Sequence, residues 1–192
     1  MTNTKLSTNF SLSEFTKSDV TEYTLALLKL LALQLQSIRN ALQEYTVDKS
    51  KAVTIVITSG VRTQEDYDRL VKKGYNPSKT SDHFCGLQQL SKPTLGAADI
   101  KVTNCKLPLY EVADLIMKMN VEGKIDVGQV IYEFNPKTKN DWIHIGNDWN
   151  KIFDANFLKF FCNISRKKFL MSLDNGKTYL DFNKSMIINT TR

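Results

Sequence analysis

The chain has 192 residues, of which 42% are hydrophobic and 24% charged, with a net charge of +6. That length suits one domain with a small appendage and enough apolar mass for a sizeable core. No apolar run reaches the ~18 residues of a transmembrane helix, and MTNTKLSTNFSLSEF lacks a basic start followed by an apolar stretch, so we expect synthesis in a cytoplasm without a signal peptide.

In chain order, Ser11 and Ser13 of NFSLSEF are helix N-cap candidates, with Glu14 in the capping-box position after Ser11. From Thr21 to about Tyr45, Leu28, Leu31, Leu35, Ile38 and Leu42 recur at intervals of three and four, which predicts one face of a long helix. AVTIVITSG reads as a buried strand ended by Gly60. TQEDYDRLVKKG reads as a helix capped by Thr63 and stopped at Gly74. Residues 75–95 are loop-like, with Pro77 and Pro93. GAADIKV is a second strand, LPLYEVADLIMKMN a helix with Pro108 near its start, and GQVIYEF and WIHIG are two further strands around the turn-rich NPKTKND. WNKIFDANFLKFF is predicted helical, and FLMSLDNGKTYLDF reads as a hairpin turning at Asp174, Asn175 and Gly176. Strands and helices do not alternate regularly, so the expected class is α+β, with a small antiparallel sheet packed against helices.

The chain has two histidines, and each sits beside or near an acid: SDHFCG holds His83 and NDWIHIG holds His144. Period-two alternation puts Trp142 and His144 on one face of their strand, with Ile143 and Ile145 on the other. With the isoleucines in the core, His144 points into a cleft. Asp99 opens another strand. Two imidazoles and a carboxylate suffice for a catalytic zinc site that leaves one position for water, and zinc lowers the pKa of such water to ~7. A further carboxylate then takes the proton and passes it to a leaving amine. Asp141, three residues before His144, is the first candidate.

Taken together, SDHFCG, GAADI and WIHIG resemble the zinc peptidases of the D-alanyl-D-alanine carboxypeptidase type, a group that includes the VanX/VanY enzymes and the phage L-alanyl-D-glutamate endolysins. The family pattern is Ser-x-His-x-x-Gly-x-Ala-x-Asp, followed by an acid, two residues and a His. Ser81, His83, Gly86, Ala97, Asp99, Asp141 and His144 match it, ITSGVRT resembles the family's Ser-Gly-Tyr-Arg-Ser segment and supplies Arg62, and NFSLSEF resembles the start of phage-type members. The resemblance covers roughly residues 9 to 150 and not the C-terminal hairpin. It implies a hedgehog/DD-peptidase-like fold with a catalytic domain over 1–150 and residues 151–192 as its extension. It implies zinc on His83, Asp99 and His144, Asp141 as base, Arg62 on the scissile carbonyl, Ser81 at the substrate, and hydrolysis of peptidoglycan stem peptides next to a D-amino acid. A lysis enzyme of this kind acts at the cell wall as a monomer.

Two departures stand out. The family motif runs unbroken, whereas Asp99 lies sixteen residues after His83, with LQQLSKPTLG between them, and Val61 replaces an aromatic residue. Loop closure cost grows slowly with length, so the ligands can still converge; Asp82 is the rival ligand. Glu133, in the IYE strand, competes with Asp141 for the base. Three other readings stay open. The first is an inactive family member that binds wall fragments or a protein partner. The second is a cysteine hydrolase built on Cys85. The third is a nucleic-acid binder, disfavoured because lysines alternate with acids along the whole chain rather than forming a groove. Cys85, Cys105 and Cys162 are odd in number without zinc-finger spacing, and are expected to be reduced thiols.

Overall fold

The long amphipathic segment decides the architecture. In the computed structural model, which describes residues 4–75, 77–86, 94–148 and 168–191, it forms α2 (Glu22–Leu42), capped by Thr21, whose hydroxyl accepts the Thr24 N–H. The predicted stripe Leu28, Leu31, Leu35, Ile38 and Leu42 is fully buried. It packs on a sheet whose inward positions are β-branched: Ile55, Ile100, Ile143, Ile145 and Val130. α4 (Leu109–Val121) covers the same side of the sheet through Val112, Ala113 and Ile116. Alternation then leaves the opposite side of the sheet for polar residues.

The strands are β1 (Thr54–Ser59), β2 (Ala97–Thr103), β3 (Val127–Asn135), β4 (Asn140–Asn147), β5 (Lys168–Ser172) and β6 (Leu180–Asp181). They form one sheet in the order β1-β2-β4-β3-β5-β6. The α+β class holds, but the sheet is neither small nor wholly antiparallel: it has six strands, and β5 runs parallel to β3. The predicted hairpin is present as β5 and β6 and extends the sheet that carries the earlier strands. The helix expected over WNKIFDANFLKFF lies outside the described residues.

The short helix α1 (Leu12–Phe15) carries the expected capping box, with the Glu14 carboxylate accepting the Ser11 N–H at 2.9 Å. α3 (Gln64–Lys72) starts at Thr63 as predicted and ends before Gly74, whose φ of +80° suits glycine. A last helix, α5 (Lys184–Thr191), has no counterpart in the sequence expectations; Lys184 pairs with Glu111 on α4 at 3.5 Å. No helix among the described residues is long and apolar enough to cross a membrane. Replacing Leu31, at the centre of the buried stripe, by alanine is expected to cost about 2–5 kcal/mol, measurable as a lower urea midpoint at unchanged slope.

Candidate metal centre

The polar face of the sheet assembles the site. Asp99 on β2 lies directly opposite His144 on β4. Across the other ladder, Ile131 on β3 faces His144, and Glu133 faces Trp142. Side chains opposite one another share a face, so Asp99, His144, Trp142 and Glu133 all project to the same side. His83 arrives from a 3₁₀ turn (Asp82–Phe84) above the sheet. Its Nε2 lies 3.2 Å from Asp99 Oδ1 and 3.1 Å from His144 Nδ1, and His144 Nδ1 lies 3.0 Å from Asp99 Oδ1. Both imidazoles are buried.

The outer nitrogens of the two rings decide what the inner ones present. His83 Nδ1 donates to the Gly60 carbonyl at 2.7 Å, and His144 Nε2 donates to Gln129 Oε1 at 3.3 Å. An imidazole that has committed one N–H outward offers a lone pair at its other nitrogen. Two nitrogen lone pairs and a carboxylate oxygen therefore point at one another. Burial alone would raise the Asp99 pKa, but protonated His83 and His144 beside it outweigh burial and hold its carboxyl well below the usual range, so positive charge at this point stabilises the carboxylate. This group can hold a metal ion.

The backbone around His83 is built to keep it there. Gly60 packs so tightly on the N-terminal segment that a Cβ would sit 2.1 Å from the Phe15 carbonyl oxygen, and that oxygen accepts the Val61 N–H at 2.8 Å. The Arg62 N–H donates to the His83 carbonyl at 2.8 Å. The long segment between His83 and Asp99 does not part them, because its described ends meet: the Gly86 N–H donates to the Thr94 carbonyl at 2.9 Å. Asp82, the rival ligand, is spent on this closure. Its carboxylate accepts the Leu95 N–H at 3.1 Å and its carbonyl the Gly96 N–H at 3.1 Å.

Arg62 and Ser81 both line the cleft. Arg62 Nη1 approaches Ser81 Oγ at 3.5 Å, and Ser81 Oγ also caps the turn by accepting the His83 N–H at 3.4 Å. Burial lowers the Arg62 pKa, while Asp99, Asp66 and Glu133 oppose the shift. Asp66 is paired with Arg69, and among the described residues Arg62 forms no ion pair.

The first-ranked base is misplaced. Asp141 is an odd number of residues from His144 on an unbroken strand, so it projects to the helix-covered side. There it accepts the Tyr132 hydroxyl at 3.1 Å. Glu133 is the acid on the cleft side, buried to 8% exposure. Burial, aided by Asp99, pushes its pKa up to about 7 against the pull of His144, the Trp142 indole and Arg62. The same alternation that placed Trp142 beside His144 was sufficient to exclude Asp141 and to select Gln129 and Glu133. Gly60 carried no such signal, since its carbonyl is defined by packing alone.

The cleft over these residues has a volume of about 2070 Å³, larger than the roughly 300–1,000 Å³ of a small-molecule pocket, and it suits an extended chain. Its walls are the segment around α1, the start of α3 and the C-terminal hairpin. The Cys85 thiol is not among them. It is fully buried, its pKa pushed up to about 12 by burial and then by Asp82, which removes the thiolate a cysteine hydrolase needs. Cys85 and Cys105 are free thiols, and Cys162 lies outside the described residues. Compared with protein-family models, curated proteins and solved structures, the chain matches none.

Gly60→Ala is expected to lower stability by about 1–3 kcal/mol and, by turning the carbonyl that holds His83, to weaken divalent-cation affinity roughly 10–100-fold; urea melts of the metal-free protein read the first effect and calorimetric metal titration the second. A carboxyl raised in the folded state is destabilising once pH exceeds its unfolded pKa, and the cost grows until the folded pKa is passed. Metal-free Glu133→Gln should therefore match the metal-free native chain near pH 4 and exceed its stability above pH ~7 by about 3 kcal/mol, in urea melts at the two pH values.

Proposed function

We propose that this chain is a zinc metallopeptidase with a hedgehog/DD-peptidase-like fold that hydrolyses peptidoglycan stem peptides at a bond next to a D-amino acid, in the manner of phage endolysins. One observation carries the proposal: three lone-pair donors from separate parts of the chain face one another at 3.0–3.2 Å. Tetrahedral zinc with bonds of ~2.0–2.1 Å sets its ligand atoms about 3.3 Å apart, so the donors stand near ligand separation. Two nitrogens and one oxygen also suit zinc better than the all-oxygen sets of magnesium or calcium. The order of motifs along the chain supports the substrate class, as does a net charge of +6, which favours an anionic wall.

His83, Asp99 and His144 would hold the ion, which when bound supplies Lewis acidity for water and carbonyl alike. Glu133 takes the proton from the attacking water as its oxygen bonds to the scissile carbonyl carbon. The displaced π pair moves onto the carbonyl oxygen, where the Arg62 guanidinium receives it. When the C–N bond breaks, Glu133 returns its proton to the amine nitrogen, and the proton left on the new carboxylic acid passes to the amine, giving a carboxylate and an ammonium group. A base poised near neutral pH suits both transfers. The Trp142 indole favours the ionised form of Glu133. Ser81 keeps the Arg62 side chain at the mouth of the site.

The deciding experiment is mass spectrometry of purified peptidoglycan digested by the zinc-loaded protein, with and without chelator. New free amino and carboxyl termini that vanish on chelation are the expected result. Zinc binding without cleavage of any stem peptide would instead favour a binding protein built on the same site. His83→Ala and His144→Ala should lose zinc and turnover together. Glu133→Gln should keep zinc and lose roughly 10²–10⁴ in kcat, while Asp141→Asn should keep both zinc and turnover.

A further inference from the structure

The hairpin that lies outside the family resemblance brings its own chemistry to the cleft. Its turn is rigid: the Asp174 carboxylate accepts the N–H groups of Lys177 and Thr178 at 3.1 and 2.9 Å and the Ser172 hydroxyl at 2.9 Å. The Asn175 N–H donates to the Phe134 carbonyl at 3.0 Å, tying the turn to the end of β3. Gly176 follows with φ +76°. A Cβ there would meet two oxygens, Glu133 Oε2 and Tyr179 Oη, each at 3.1 Å. Both oxygens thus border one gap, which exists because position 176 has no side chain.

Tyr179 lines the cleft together with Arg62 and His144, and the residue is 47% exposed. Its hydroxyl is not consumed in any hydrogen bond among the described residues. The sheet order sets its position relative to the other groups: Arg62 follows β1 at one edge, Tyr179 precedes β6 at the other, and His144 on β4 lies between. We propose that Tyr179 is a catalytic residue of the peptidase described above, its phenol O–H donating to the scissile carbonyl oxygen from the side opposite Arg62. The inference rests on that peptidase reading.

The donor strengthens as the reaction proceeds. Water's oxygen bonds to the carbonyl carbon, the π pair moves to the carbonyl oxygen, and the phenol hydrogen bond then faces an anion rather than a neutral oxygen. The phenol keeps its proton throughout, since burial, then Glu133 and Asp99, push its pKa up to about 12. The leaving amine takes its proton from Glu133, and Tyr179 is unchanged at the end of the cycle.

The test uses the full-length zinc-loaded protein and Tyr179→Phe, with a stem peptide as substrate. A phosphinate analogue of the same peptide carries a tetrahedral anion in place of the scissile carbonyl. The expected result is a fall in kcat of about 10- to 100-fold with KM within about twofold, at unchanged zinc content and melting temperature. Phosphinate affinity should fall by the same factor, while the parent peptide binds Glu133→Gln equally with and without the phenol. Tyr179→His, which restores an N–H donor, should recover part of the loss. Native kcat and phosphinate affinity in Tyr179→Phe would overturn the proposal with the peptidase intact, as would equal weakening of peptide and phosphinate or a histidine variant no better than the phenylalanine one. An unsubstituted protein that neither cleaves the peptide nor binds the phosphinate would sink the peptidase reading itself, a failure visible before any substitution is made.

Discussion

Two imidazole lone pairs and a carboxylate oxygen, buried and facing one another at 3.0–3.2 Å, repel unless positive charge lies among them. Much of the molecule can be understood as the scaffold that holds them there regardless. Asp99 and His144 are fixed by direct opposition in the β2–β4 ladder, which the buried stripe of α2 presses from behind. His83 has no strand to hold it, and the outer nitrogen of its ring is oriented by one backbone oxygen, that of Gly60. That oxygen is aimed by a contact with Phe15 too close for any side chain at position 60. The N-terminal segment, far from the ligands along the chain, thereby orients one of them.

The same sheet separates two chemical environments. On the helix side, Asp141 and Tyr132 share a hydrogen bond that holds this carboxylate away from His83 and His144. On the cleft side, Glu133 loses water and gains protons, its pKa raised to about 7. Two acids one strand apart acquire different properties because the pleat sends them to opposite faces and burial acts on one of them at the site. The C-terminal hairpin then closes the far wall, so the cleft is flanked by the beginning and the end of the described chain.

How far the sequence could be read depended on which kind of order each residue obeyed. The helix stripe, the Thr63 cap and strands β1 to β4 are local patterns and were legible. The convergence of His83, Asp99 and His144 came from motif order, and it survived the insertion because Gly86 and Thr94 are joined directly. Asp141 was ranked first by matching a spacing, whereas the strand period of two sends it to the face away from His144. The parallel β3–β5 pair and α5 had no local signature, since strand partners are chosen by the whole fold.

The amino-acid order by itself determined most of the elements, the amphipathic faces and which three side chains to examine as a metal-holding group. These follow from short-range sterics and hydrophobic period, which act within a few residues. The tertiary structure alone decided which acid faces the ligands, which nitrogen of each histidine points inward, and that Tyr179 enters the cleft. Those outcomes depend on contacts between residues distant in the chain, where a carbonyl, an amide or the absence of one Cβ sets the direction of a lone pair.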